Sequence, residues 1–176
     1  MLSFGYGRIA LYSTLLYSTL LYDRYNSLLR VTDEEWFMSN SDNIIVKRKR
    51  DICIFIWNNY MKKITLTDLS KALSLSERTC QRLIHDHLQT KLNLLLNAVR
   101  FYKTIEYYQR HGGNIVHCAI ENGFQDRQVF RQWWKRWVNT PINHQNIDYE
   151  KIKTEFSDEY NELIEKILSL IPDNIK

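Results

Sequence analysis

Residues 114–137, NIVHCAIENGFQDRQVFRQWWKRW, decide how the rest of the chain is read. The stretch predicts two short helices meeting at a sharp turn. Asn114 is a good N-cap because its side-chain oxygen accepts an orphan amide of the first turn, and Ile115, Cys118 and Ala119 follow on one face at helical spacing. Gly123, just past Ile120, tolerates the left-handed conformation that ends a helix. Phe124 is expected in the core and Asp126 at the cap of a second helix, held down by Phe130, Trp134 and Trp137 at i, i+4 and i+7. That stripe leaves Arg127, Gln128, Arg131, Gln132 and Lys135 on the open face. The small Ala119 lets the helices cross closely and the glycine turn sets their angle, the geometry by which a helix-turn-helix sends its second helix into a major groove. The expectation is sequence-specific binding to double-stranded DNA.

Composition narrows the alternatives. A chain of 176 residues suits one or two small domains, and 44% hydrophobic content with 13% aromatic is ample for a packed core. Only 5 Gly and 2 Pro predict an all-α chain. The net charge of +4 is unevenly spread: Lys47 to Gln145 holds 17 Lys/Arg against 7 Asp/Glu, and the remainder 7 against 13. The middle of the chain is therefore the part expected to face a polyanion. Cys53, Cys80 and Cys118 sit singly inside helical patterns, which fits buried thiols in a reducing cytoplasm better than disulfides or a zinc site.

The two-helix pattern occurs a first time in TLTDLSKALSLSERTCQRLIHDH, residues 65–87. Here Thr67 is expected to cap a helix with Leu69 and Leu73 inward, Ser70 at the crossing, Ser74 at the turn, and Ser76 capping the next helix. Cys80, Leu83 and Ile84 point in. Arg78, Gln81, Arg82 and His85 point out, and Arg suits the paired acceptors of guanine as Gln suits the donor-acceptor pair of adenine. Between the units, a helix over about 92–110 packs Leu95, Ala98, Val99, Tyr102 and Ile105. It is expected to act as a rigid spacer holding the two reading helices about one duplex turn, roughly 34 Å, apart.

Upstream, Ile9 to Leu29 is apolar and carries a YSTLL near-repeat. It lacks a basic leader and a cleavage site, and Asp23 and Arg24 interrupt it before it could span a membrane. Its leucines and tyrosines read either as an intramolecular core helix or as the seam of a homodimer. The polar stretch Thr32 to Asp42 reads as a joint, with a domain boundary near Asn43. Lys47 to Arg50 is expected to open the next helix, whose inward face is Ile52, Phe55, Ile56 and Tyr60; four cations there oppose the helix dipole and suit phosphates. Downstream of Gln145, Tyr149, Ile152, Phe156, Tyr160, Leu163, Ile164, Ile167 and Ile171 keep helical spacing with a break near Ser157, and Pro172 ends the pattern. The opposite side is acidic, with Glu155, Asp158, Glu159, Glu162 and Glu165. This extension is expected either to cap the domain's own core or to offer a surface to RNA polymerase or a second protomer.

LSKALSLSERTCQRLI at 69–84, Arg100, AIENGFQDRQVFRQWWKRW at 119–137 and the closing Asn139 to Pro141 together resemble the DNA-binding domain of the AraC/XylS family of bacterial transcription regulators, over about Ile44 to Gln145. The resemblance implies a cytoplasmic transcription factor, often an activator, with two tandem helix-turn-helix units (about 65–87 and 114–138) reading consecutive major grooves. It implies base or phosphate contacts from Arg78, Gln81 and Arg82 and from Arg127, Gln128, Arg131 and Gln132. The chain departs from the pattern where Ser74 replaces the turn glycine, Gln89 replaces a closing glycine, and the segment before Pro141 is one residue short. A non-glycine residue in a left-handed turn costs on the order of 1 kcal/mol. The first 43 residues are too few for the family's ligand-binding barrel and resemble at best its last, dimer-forming helices.

Nothing in the chain suggests an enzyme or a cofactor: no Gly-rich phosphate loop, HExxH or Ser/His/Asp grouping stands out. His85 with His87 and His117 with Cys118 are spaced so that neither pair shares a helix face, which argues against a metal site. A second reading is a truncated family member that acts by protein–protein contact, pairing through residues 9–29 with a larger relative and blocking it.

Overall fold

A computed structural model describes residues 43–142 and 149–175. The proposed dimer segment at 9–29 and the joint at 32–42 lie outside the described residues. Residues 45–176 form one compact unit. Among the described residues it is helical, with a single antiparallel bridge between Val138 and Phe156. The helices are α1 (residues 43–59), α2 (Leu66–Leu73), α3 (Glu77–Arg82), α4 (Leu92–His111), α5 (Ile115–Glu121), α6 (Arg127–Trp137), α7 (Tyr149–Thr154) and α8 (Asp158–Leu170).

The four-cation run does not open α1, because the chain is already helical from Asn43; Arg48 there pairs with Asp51 at 3.8 Å. The inward face of α1 is Ile52, Cys53, Ile56 and Trp57, with Phe55 only half-buried. Burial pushes the Cys53 thiol up to about 12, and raises Cys80 and Cys118 as well, so all three buried thiols stay protonated at neutral pH.

α2 is capped by Thr65, not Thr67. Thr65 has a carboxylate three residues on, Asp68, which accepts the Thr65 amide at 2.9 Å and completes a capping box. Thr67 instead donates its hydroxyl to Glu77 Oε1 at 2.6 Å, tying α2 to α3. Both helix pairs turn in the same way. Leu75 N donates to Ser70 O and Ser74 N to Lys71 O after α2; Phe124 N donates to Ala119 O and Gly123 N to Ile120 O after α5. This is the two-bond closure of a Schellman turn, and its left-handed residue is Ser74 (φ 52) in one pair and Gly123 (φ 90) in the other.

α4 is packed on more sides than the one face expected of it. Residues 95–101 are buried on every side, and α5 and α8 both pack on it. The sequence pattern hid this because three polar positions are buried with partners: Asn97 Nδ2 donates to Asn93 O, Thr104 Oγ1 to Arg100 O, and Arg100 to the end of α1. Phe101, absent from the expected packed side, is fully buried and meets Phe130, Trp134 and Trp137 of α6 at ring distances of 6.0, 5.8 and 5.3 Å. It also meets Tyr160 of α8 at 5.1 Å. The break near Ser157 separates α7 from α8, with Ser157 as the cap of α8. Tyr160, Leu163, Ile164 and Ile167 join the common core, so the extension covers that core.

Candidate nucleic-acid interface

The pose of α6 is set from beneath. Asp126 accepts the Val129 amide at 2.8 Å and fixes where the helix starts. Phe130, Trp134 and Trp137 then anchor one face against Phe101, and Trp134 Nε1 donates to Thr140 O at 2.8 Å. The opposite edge carries Arg127, Gln128, Arg131, Gln132 and Lys135, and all five are exposed.

α3 is built in parallel fashion. Ser76 Oγ accepts the Thr79 amide at 3.1 Å, Cys80, Leu83 and Ile84 are buried, and Arg78, Gln81 and Arg82 are exposed. After Arg82 the helix widens into a π-turn over Leu83–His87, with Leu88 N donating to Leu83 O at 3.0 Å. His85 lies in that turn, exposed, with Nδ1 at 2.7 Å from Asp86 Oδ1. A π-turn advances the chain by a smaller angle per residue than a plain α-helix, so its residues do not continue the α3 face in strict register.

Two adjoining clefts lie beside α6. One cleft of about 590 Å3 is lined by His85, Gln89 and Lys91 at the end of the first pair and by Trp133 and Arg136 of α6. A second, of about 400 Å3, is lined by Asn97, Gln125 and Gln132 and shares Asn93, Trp133 and Arg136 with the first. His85 and Gln132, one from each expected reading surface, thus border adjoining clefts.

Two further residues matter to which the sequence pattern gave no role. Arg100 is buried and donates from Nε to Tyr60 O at 2.7 Å and from Nη2 to Lys62 O at 2.9 Å, so it ties down the turn that follows α1. The same corner receives the second turn: a Cβ on Gly123 would lie 2.8 Å from Met61 Cα and 3.0 Å from Tyr60 O. Arg136, on α6, is exposed but engaged. Its Nε and Nη2 meet the two carboxylate oxygens of Glu159 at 2.8 and 2.5 Å, and its guanidinium lies 5.3 Å from the Trp133 ring. That bond holds the Glu159 carboxyl below its ordinary range. Because the partners lie on different helices, no local spacing rule points to the pair.

Residues 69–144 match a family model described as a helix-turn-helix domain. The match supports an AraC-like helix-turn-helix domain over this stretch. The match begins inside α2 and runs past α6, so the domain it describes holds both helix pairs and α4, while α1, α7 and α8 lie outside the matched stretch. No curated protein and no solved structure matches the chain. A helix-turn-helix domain of this type is a DNA-binding module of transcription regulators. Among the described residues no helix is long and apolar enough to cross a membrane. His117, one of the histidines weighed as a metal ligand, lies 3.4 Å from Glu121.

Proposed function

We propose that the chain is a sequence-specific transcription regulator of the AraC/XylS family, reading two adjacent major grooves with α3 and α6. The observation that carries this reading is the pair of adjoining clefts beside α6, one lined by His85 at the end of the first helix pair and the other by Gln132 of the second. It supports an arrangement in which both rows of Arg and Gln serve one ligand surface. In this reading Arg78, Gln81, Arg82, Arg127, Gln128, Arg131 and Gln132 contact base edges or flanking phosphates. His85 and Lys135 supply further contacts at the ends of the two rows. Bidentate Arg–guanine and Gln–adenine pairs each discriminate by about 1–3 kcal/mol.

The test is duplex binding by the whole chain at several salt concentrations. Arg131→Ala or Gln128→Ala is expected to weaken a selected site by about tenfold to a hundredfold while changing affinity for random duplex little. Log affinity is expected to fall against log salt with a slope of about −0.9 per phosphate neutralised. If both substitutions leave the preference among duplexes unchanged, the assignment of α6 as a reader is wrong.

A further inference from the structure

The C-terminal extension touches the ends of both reading helices, and it does so from one stripe of a single helix. Glu159 and Lys166 on α8 are seven residues apart, close to two helical turns, so they project from the same side about 10 Å apart along the axis. Glu159 takes Arg136, in the last turn of α6, through both carboxylate oxygens. Lys166 Nζ donates to Leu88 O at 3.3 Å, the carbonyl of the residue that closes the π-turned end of α3. A cation there also suits the negative end of the helix dipole. The join at α6 is doubled by backbone: Ser157 N donates to Trp137 O at 2.9 Å and Asn139 N to Glu155 O at 3.1 Å. Beneath the stripe, Tyr160 packs on Trp137 at 5.2 Å and on Phe101 of α4 at 5.1 Å.

We propose that α8 is a strut that fixes the angle and separation of the two reading helices, with Glu159 and Lys166 as positioning residues. The inference rests on the reading of α3 and α6 as the DNA-facing helices. Two short helices that enter neighbouring grooves need a fixed separation, and a change of one base pair moves the second groove by about 3.4 Å and about a tenth of a turn. α4 supplies part of that rigidity. The strut supplies the rest, because it grips α6 in its last turn and, at Leu88, the π-turn that follows α3. Glu159 also keeps the Arg136 guanidinium engaged away from a phosphate, which lowers the sequence-independent part of binding.

The half-exposed Arg136–Glu159 pair contributes little to global stability, so Glu159→Gln is expected to fold. Two measurements on the full chain separate the strut from the DNA reading. In the first, nitroxide labels at Gln81→Cys and Gln128→Cys report the distance between α3 and α6 without DNA, the three native cysteines being buried. Glu159→Gln combined with Lys166→Met is expected to broaden that distribution, and an unchanged distribution overturns the strut. In the second, duplexes with half-sites moved by one base pair are expected to lose about tenfold in affinity for the parent chain and under about threefold for the double variant. Reversing the pair, Arg136→Glu with Glu159→Arg, is expected to restore the parent's intolerance where Glu159→Arg alone does not. A broadened distance in a chain whose parent shows no preference among duplexes supports the strut and refutes the DNA reading. Equal spacing tolerance in parent and double variant overturns the strut's role in recognition.

Discussion

The α2–α3 and α5–α6 pairs close with the same two hydrogen bonds and differ in what stands at the left-handed position. In the second pair it is Gly123, whose missing side chain lets the turn press against Met61 and Tyr60 at the end of α1. In the first pair it is Ser74, which is exposed. One turn is therefore a packing joint, where backbone meets backbone. The other is a free corner that tolerates a modest conformational cost. The difference shows that the shared glycine of a helix-turn-helix answers two separate demands, a dihedral angle and a close approach, and that only the second pair makes both.

The sharpest way to break this comparison is to add one methyl group. Gly123→Ala is expected to destabilise the chain by about 3 kcal/mol, combining the left-handed penalty with overpacking against backbone that has no rotamer by which to yield. Urea unfolding monitored by tryptophan fluorescence measures it, and a loss below about 1 kcal/mol would mean that the turn and α1 separate easily. The reciprocal change is milder and of opposite sign. Ser74→Gly relieves φ 52 without touching a packed neighbour and is expected to stabilise by about 0.5–1 kcal/mol, read as a shift of the same unfolding midpoint.

The smallest effect concerns charge. The first pair ties its carboxylate internally, Asp68 to Thr65, and the second ties Arg136 outward to Glu159; both carboxyls are held below their ordinary range, by the Thr65 hydrogen bonds and by the Arg136 hydrogen bond respectively. Since both are depressed, what they contribute to stability is complete above about pH 5 and is lost as pH falls through the lowered values. Carboxyl titration by NMR is expected to show both midpoints below the ordinary carboxylate, and Arg136→Met to return Glu159 alone toward it. If Glu159 titrates normally in the parent chain, the tie between α6 and α8 is not formed in solution.

Most of the proposed reading surface, as a set of exposed side chains on capped helices, was legible in the sequence because exposure and capping follow from helical period and cap chemistry. The exposed Arg and Gln of α3 and α6, the buried Phe130, Trp134 and Trp137, the caps Ser76, Asn114 and Asp126, and the turns at Ser74 and Gly123 all lie where spacing puts them. The features that failed to show were long-range. Thr65 displaced Thr67 because a capping box outranks a lone hydroxyl. Asn97, Arg100 and Thr104 made α4 look half-exposed, although each is buried against a backbone carbonyl that no periodicity reveals. The links of Arg136 to Glu159 and of Lys166 to Leu88 join residues far apart in the chain and give no local signal.

Selection of bound sequences from a random duplex pool, read by sequencing, tests the bipartite reading most directly. Two half-motifs with centres about ten base pairs apart, one of which disappears in Arg131→Ala while the other persists, is the predicted result. Enrichment of one unbroken motif that survives loss of either row of side chains, or no enrichment at all, would contradict it.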